Sequence, residues 1–249
     1  MSLFIPLQRI FKLIYFLWIN LFNYLLLYPL LGILQREKIF DIHFLNFGYV
    51  EDDEEENKKN SQSNSPSKLV QSVGNFPKGV EGDALRAHCL LYEKTLEQCP
   101  LYESLNGLQL LEVGCGPGGG LNWIKVAHPE IGPLYGLDRH PPPSDSLPLG
   151  VNVISGRAEK LPFADCSFDI LLNVESSHCY GEGEKAFFHE VSRVLKKGGY
   201  LCWTDIRTSK GAPFWIKIFG NNFRKVFAPN REKLENGEHL YMIGCWEKI

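Results

Sequence analysis

The chain of 249 residues has no Cys-x-x-Cys pair, although it carries seven cysteines, at 89, 99, 115, 166, 179, 202 and 245. Thiols in odd number and at scattered positions suggest neither a disulfide scaffold nor a zinc site, so no metal is expected. The chain also lacks an Asn-x-Ser/Thr acceptor: Asn64-Ser65 is followed by Pro66-Ser67, and no other Asn is placed correctly. Free thiols without that acceptor fit a domain facing the reducing cytosol. No Lys/Arg run stands out and the net charge is −3. Nucleic acid needs a basic face to neutralise its phosphates, so no nucleic-acid partner is expected. No internal repeat is visible. What remains is ordinary globular composition, 44% hydrophobic and 22% charged, enough for one sizeable domain with accessories.

The first positive feature is apolar. Leu13 to Leu34 contains 22 residues without a charge. As a helix this stretch is about 33 Å long, enough to cross a bilayer core. Tyr15, Trp18, Tyr24 and Tyr28 suit interfaces, and Pro29 and Gly32 can kink or end the helix. Arg9 and Lys12 on one side are balanced by Arg36 and Lys38 on the other, so charge sets no orientation. Residues 1–40 are read as a membrane anchor. A cleaved signal peptide has a shorter apolar core and an A-x-A-like site, and a helix lying in the interface is the remaining alternative.

Residues 41–68 hold a short motif and then Glu51–Ser67, EDDEEENKKNSQSNSPS, which has no apolar residue and so cannot offset the entropy of ordering. It reads as a tether to a domain at 69–249. There the pattern turns globular. A helix is predicted over Asp83–Cys99, strands at Leu108–Val113, Leu134–Leu137, Val151–Ser155, Phe168–Val174 and Tyr200–Asp205, and helices at Gly118–Ala127 and Glu184–Leu195. Lys197-Gly198-Gly199 is expected to terminate the last helix. This alternation predicts an α/β fold with a parallel sheet and helices on both faces.

The strongest local signal is Leu110-Leu111-Glu112-Val113-Gly114-Cys115-Gly116-Pro117-Gly118-Gly119-Gly120, a strand running into a glycine-rich turn that opens a helix. Glycines let the backbone pass close to a ligand where a Cβ would clash. Asp138, at the end of the second strand, can hydrogen-bond both hydroxyls of a ribose. Taken alone, the turn can be purely structural and Asp138 a strand-end cap; their spacing favours a ligand. A nicotinamide dinucleotide remains compatible, since Gly114, Gly116 and Gly119 fit G-x-G-x-x-G.

The following stretches decide between the cofactors. Gly156-Arg157-Ala158-Glu159-Lys160-Leu161-Pro162-Phe163 with Asp165-Cys166-Ser167-Phe168-Asp169, the glycine turn, and Leu195-Lys196-Lys197-Gly198-Gly199 together resemble class I S-adenosylmethionine-dependent methyltransferases, over about residues 105 to 205. The resemblance implies a Rossmann-like sheet, with S-adenosyl-L-methionine bound by Glu112, Gly114, Gly116, Gly118, Asp138, Arg139, Ala158, Glu159 and Asn173. In this arrangement the turn holds the methionine part, Asp138 the ribose, and Ala158-Glu159 borders the adenine. One departure matters: many relatives carry Asp where this chain has Arg157, and a guanidinium cannot accept from the adenine amino group. Backbone at Ala158 is the expected substitute.

Asn173-Val174-Glu175-Ser176-Ser177-His178-Cys179-Tyr180, together with Asn46-Phe47-Gly48-Tyr49 and Arg86–Tyr92, is similar to phthiotriol/phenolphthiotriol dimycocerosate methyltransferase-like proteins. That resemblance implies methylation of oxygen on a lipid or other hydrophobic small molecule, with the Tyr49 segment folded over the cofactor. Base-amino methyltransferases carry Asn/Asp-Pro-Pro-Tyr/Phe where Asn-Val-Glu-Ser stands here. A hydroxyl acceptor needs a base, and His178 is the best-placed candidate, with packing as its alternative role. Tyr180 and Asp205 join Tyr49 as expected substrate residues, although Tyr180 can equally wall the pocket and Asp205 cap a turn. With the anchor at 1–40 the chain reads as a single-pass membrane protein; the class implies a domain facing the cytosol, where S-adenosylmethionine is made, at the endoplasmic reticulum in a eukaryote.

After Asp205 the pattern breaks. Phe214–Phe219 and Asn222–Phe227 read as helical or irregular, and Leu240–Trp246 as one strand. The sixth strand is expected to be missing, which implies an abbreviated domain. A catalytically weak or silent S-adenosylmethionine-binding membrane protein is therefore the alternative to an active lipid methyltransferase. The oligomeric state is not legible.

Overall fold

The computed structural model describes residues 30, 44–46, 80–208, 223–225, 230–233 and 239–249. The expected anchor, apart from Leu30, the acidic tether, Tyr49 and the candidate helix 214–219 lie outside them. Among the described residues no helix is long and apolar enough to cross a membrane. The chain divides into two units, Met1–Ile42 and His43–Ile249.

The second unit opens with α1 (Val80–Leu96), then β1 (Leu110–Val113), α2 (Gly119–Ala127), β2 (Leu134–Asp138), β3 (Val151–Ser155), β4 (Phe168–Val174), α3 (Glu184–Val194), β5 (Leu195–Thr208), β6 (Phe223–Lys225), β7 (Asn230–Lys233) and β8 (His239–Lys248). The sheet order is β3-β2-β1-β4-β5-β8-β6, with β7 also paired to β8. The first five strands are parallel and β8 runs antiparallel to β5. This is the Rossmann-like architecture the sequence implies, with a mixed rather than a purely parallel sheet. The strand order reverses between β1 and β4, and ligands of such sheets bind outside the carboxyl ends at that reversal.

Side-chain alternation splits the core into two clusters. Leu110, Ile170, Leu172, Cys202 and Cys245 pack with Leu91 and Leu96 of α1 and Leu121 and Ile124 of α2. Leu111, Val113, Leu171, Leu201, Trp203 and Trp246 pack with Phe187, Phe188, Val191 and Val194 of α3. Strands buried on both faces read as continuous apolar runs, which is why β1 and β4 are conspicuous in the sequence.

Two expectations are corrected here. The sixth strand is present as short pieces: Phe223–Lys225 pairs with Trp246–Lys248, and Asn230–Lys233 pairs with Leu240–Ile243. Strands of three and four residues carry too few alternating positions to announce themselves. Lys197-Gly198-Gly199 does not end the helix, which stops at Val194. It forms an irregularity inside β5: Phe168 pairs with Leu195, but Ile170 with Tyr200. Gly198 has φ +74°, and a Cβ on Gly199 would stand 3.0 Å from the Asp169 carbonyl, so neither position favours a side chain.

Candidate functional site

The glycine turn and Asp138 meet at the carboxyl edge of the sheet. Leu137 lies opposite Val113 across the β1–β2 pair, so Asp138 emerges beside the turn. Its Oδ2 accepts from the Gly116 N–H at 2.9 Å, and Oδ1 from the His140 N–H at 2.8 Å. Gly114, Gly116 and Gly118 all have positive φ, at +76°, +49° and +87°. A Cβ on Gly114 would collide with Ser176 and with the Tyr180 hydroxyl, whereas at Gly116 only Leu45 comes near, at 3.4 Å. The backbone at Gly116 is therefore roofed by one apolar side chain from residues 44–46. Phe44 stacks on His88 with ring centroids 5.3 Å apart, and Asn46 bonds the same imidazole at 2.6 Å. These contacts hold Phe44 and Asn46 against α1 and Leu45 against the turn; Phe47–Tyr49 of the expected cap lie outside the described residues.

Glu112 lies beneath, fully buried on the α1 face of β1. Oε1 accepts from the Tyr92 hydroxyl at 2.7 Å, while Oε2 has no hydrogen-bond partner among the described residues. Burial raises its pKa to about 8; Tyr92 pulls it down and the Asp138 charge adds to the rise. Asn173, on β4, is also buried. Its Nδ2 donates to the Val113 carbonyl at 2.8 Å and the Ser176 hydroxyl at 2.7 Å, while Oδ1 is left without a partner among the described residues. Two buried acceptors without partners, at the ends of the two strands flanking the reversal, suit a ligand that brings donors.

Arg139 is exposed beside Asp138, its carbonyl accepting from Ser155. Ala158 is buried three residues past the end of β3, on the same sheet edge. Glu159 pairs with Arg157 at 2.8 Å, where Arg157 is 60% exposed. The arginine thus points its charge at a neighbouring carboxylate.

On the acceptor side, His178 and Asp205 form a dyad. The chain turns sharply after β4 at Glu175, which takes φ +46°. Ser177–Cys179 then forms one tight helical turn. His178 Nδ1 lies 2.6 Å from Asp205 Oδ1, and Asp205 Oδ2 accepts from the His178 N–H at 2.9 Å. Burial works to lower the His178 pKa, but the hydrogen bonds and charges of Asp205 and Cys179 prevail and push it up to about 10. Asp205 is fully buried and held below the usual carboxylate range: burial opposes this, and His178 and the Arg207 guanidinium, 3.1 Å away, prevail. It also accepts from Ser177 and from the Ile206 N–H. Expected as a substrate residue, Asp205 is instead saturated by protein donors and orients the imidazole from below.

Tyr180 is corrected in the same way. Its hydroxyl bonds Ser176 at 2.9 Å and Asn173 at 3.0 Å, and its ring meets Phe187 edge-on at 5.0 Å. It ties the segment after β4 to the end of β1 and does not offer its hydroxyl outward. Sequence reasoning assigned no role to Leu45, Ser176, Ser177, Glu184 or Arg207. Arg207 bonds Ser177 at 2.5 Å, forms an ion pair with Glu184 and lies 5.2 Å from the centre of the Trp203 ring. Its place two residues after Asp205, on the same face of β5, was the one available signal.

Residues 111–203 match the family described as "Methyltransferase domain". The chain is 34% identical over 189 residues to the phthiotriol/phenolphthiotriol dimycocerosates methyltransferase of Mycobacterium leprae, covering 73% of this chain and 60% of that protein. It is 34% identical over 200 residues to the fatty-acid O-methyltransferase of Mycolicibacterium smegmatis, covering 75% and 61%. The chain thus spans about 60% of the length of these curated relatives. Among solved structures, the geranyl diphosphate C-methyltransferase of Streptomyces coelicolor, in complex with S-adenosyl-L-homocysteine, superposes with TM-score 0.54 at 13% identity, over 89% of this chain and 97% of that one. The cyclase SpnF superposes with TM-score 0.55 at 16% identity, over 73% and 93%. At such identities these likenesses speak for the fold alone, and a cyclase among them illustrates why a reaction must be argued from the site.

Proposed function

Starting from a chain whose core is a methyltransferase domain of the S-adenosylmethionine-dependent class, we propose that it transfers a methyl group to an oxygen of a lipid or similarly hydrophobic acceptor at a membrane. The observation that carries the reading is the 2.9 Å bond from Gly116 to Asp138, beside the unpartnered buried Oε2 of Glu112. Those residues fit S-adenosyl-L-methionine. Glu112 Oε2 and Asn173 Oδ1 can accept from its ammonium group, Asp138 from its ribose, and the open backbone at Gly116 can pass beneath it. Bound there, the cofactor supplies an already activated methyl group.

The chain's own residues supply the rest. Leu45 lies over the turn at Gly116 and would shield a cofactor bound there from water. Asp205 holds Nδ1 of His178, which leaves Nε2 as the nitrogen that takes a proton from an acceptor hydroxyl. Because the His178 pKa is about 10, the imidazole is protonated at neutral pH and must release that proton before it can act as a base. A hydroxyl acceptor fits a site with one such base, whereas a carboxylate is already ionised at neutral pH and needs none. The apolar segment at 13–34, read as a single-pass anchor with the domain on the cytosolic side, would hold the enzyme where a lipid partitions. The names of the mycobacterial relatives support the lipid class.

The test is methyl transfer from radiolabelled S-adenosylmethionine to a lipid extract and to free fatty acids, with the full chain in detergent. Label extracted into the organic phase, lost on alkaline hydrolysis if the product is an ester, supports the reading. Label that partitions only into protein or aqueous amines overturns it, and cofactor binding without any transfer favours the silent alternative.

A further inference from the structure

Cys99 follows α1, Cys202 lies on β5 and Cys245 on β8, 43 residues further on. No local spacing connects them, yet all three are buried and their sulfurs lie within 4.8 Å of one another. Cys202 and Cys245 face each other across the antiparallel β5–β8 pair, with sulfurs 3.9 Å apart. We propose that Cys99, Cys202 and Cys245 form a three-sulfur site for one soft monovalent cation of the copper(I) class.

Geometry is the first argument. With metal–sulfur bonds of about 2.3 Å, sulfurs at the corners of a trigonal site stand about 4 Å apart, which is the spacing of the cross-strand pair. The three thiols need to close by less than an ångström in places, within the reach of side-chain torsions. Donor chemistry is the second. Thiolate selects copper(I), zinc and iron–sulfur clusters. Structural zinc takes four ligands, and among the described residues no fourth His, Cys, Asp or Glu joins this group. Copper(I) accepts three. Ligation exchanges thiol protons for the cation and releases them to the buffer.

The place in the fold gives the site a consequence. Cys245 comes from the last strand, so the sulfur triangle closes only when β8 docks on β5. An ion bound there links the first helix's exit, the middle of the sheet and the final strand, and stabilises the native state by binding it alone. Cys99, Cys202 and Cys245 belong to the same apolar core cluster as Leu91, Leu96 and Leu105, which carry no ligand atom. This site lies apart from the carboxyl-edge residues, and its occupancy does not depend on the methyl-transfer reading.

The reduced full chain in detergent is titrated anaerobically with copper(I) against a chromogenic copper(I) chelator. One ion per chain is expected to survive competition, with a higher unfolding midpoint and X-ray absorption showing sulfur ligands only, about three of them. Cys202→Ala and Cys245→Ala are each expected to lose most of that retention, while Cys166→Ser, at an exposed thiol, keeps it. Retention unchanged in both core variants, an unfolding midpoint that ignores the ion, or an absorption spectrum with oxygen, nitrogen or only two sulfurs around the metal overturns the proposal. The absorption measurement on the unaltered chain decides even if a core variant does not fold.

Discussion

In the turn at 114–120, three glycines have positive φ, one carboxylate accepts from the backbone, and on the proposed reading that backbone itself meets the cofactor. In the segment at 173–180 the opposite holds: Asn173, Ser176, Ser177, His178 and Tyr180 are bound into Val113, Asp205 and Arg207 through side chains. The first region is local in sequence and built by leaving atoms out. The second is assembled from β4, the turn after it and β5, and is built by filling a buried space with matched donors and acceptors. On the proposed reading the contrast separates binding from chemistry, with Asn173 on the binding side: loss of Asp138 should weaken the cofactor, and loss of His178 should slow transfer.

The sharpest way to break that separation is His178→Gln. Methyl transfer is expected to fall by about 10²–10⁴-fold, the usual contribution of a positioned acid or base, with cofactor affinity by calorimetry unchanged. A parallel loss of affinity would mean that the two regions form one unit. The pH profile comes next. Below a pKa of about 10 the base form of His178 grows roughly tenfold per pH unit, so the transfer rate should rise by about 100-fold from pH 7 to 9. A flat profile removes His178 from the proton path. Asp138→Ala should weaken S-adenosylmethionine by about 10- to 100-fold, since a charge-assisted hydrogen bond contributes about 1.5–3 kcal/mol. Equal binding would show that the acid serves only the turn.

Glu112 gives a smaller, pH-dependent effect. Its native pKa of about 8 stands above the 4.5 of an unperturbed glutamate, so the folded state holds this proton more tightly than the unfolded one. The resulting stabilisation is complete below about pH 4.5 and is lost as pH rises through 8. Glu112→Gln should therefore flatten the fall in the urea midpoint between pH 5 and 8, and an unchanged slope would show that another group is responsible. Tyr180→Phe should be mildest, about 1 kcal/mol of stability for the lost hydroxyl, with the ring still against Phe187 and the acceptor profile intact. A changed acceptor preference would return the hydroxyl to the substrate side.

Much of the first region could be read before any coordinates. Gly114, Gly116, Gly118 and Asp138 stand out because a parallel strand, its turn and the next strand's end recur at short, regular spacing. Asp205 and Tyr180 read equally as substrate residues or as a turn cap and a pocket wall, because a residue at a strand end can face a ligand or a neighbouring side chain with the same local pattern; their hydrogen bonds run to His178, Ser176 and Asn173. Ser177 and Leu45 left no trace, and Arg207 only its place two residues after Asp205, since their partners are tens of residues away. Tyr49, the proposed anchor and the tether lie outside the described residues.

The amino-acid order alone determined the strand and helix succession, the glycine-rich turn and the acid beside it. Each is dictated by backbone sterics and by the periodicity of apolar side chains over a few residues. Only the tertiary structure decided that Asp205 serves His178, that Tyr180 turns inward, that a short sixth strand pairs with β8, and that Cys99, Cys202 and Cys245 converge. Those outcomes depend on register across the sheet, which brings together side chains that no local spacing relates.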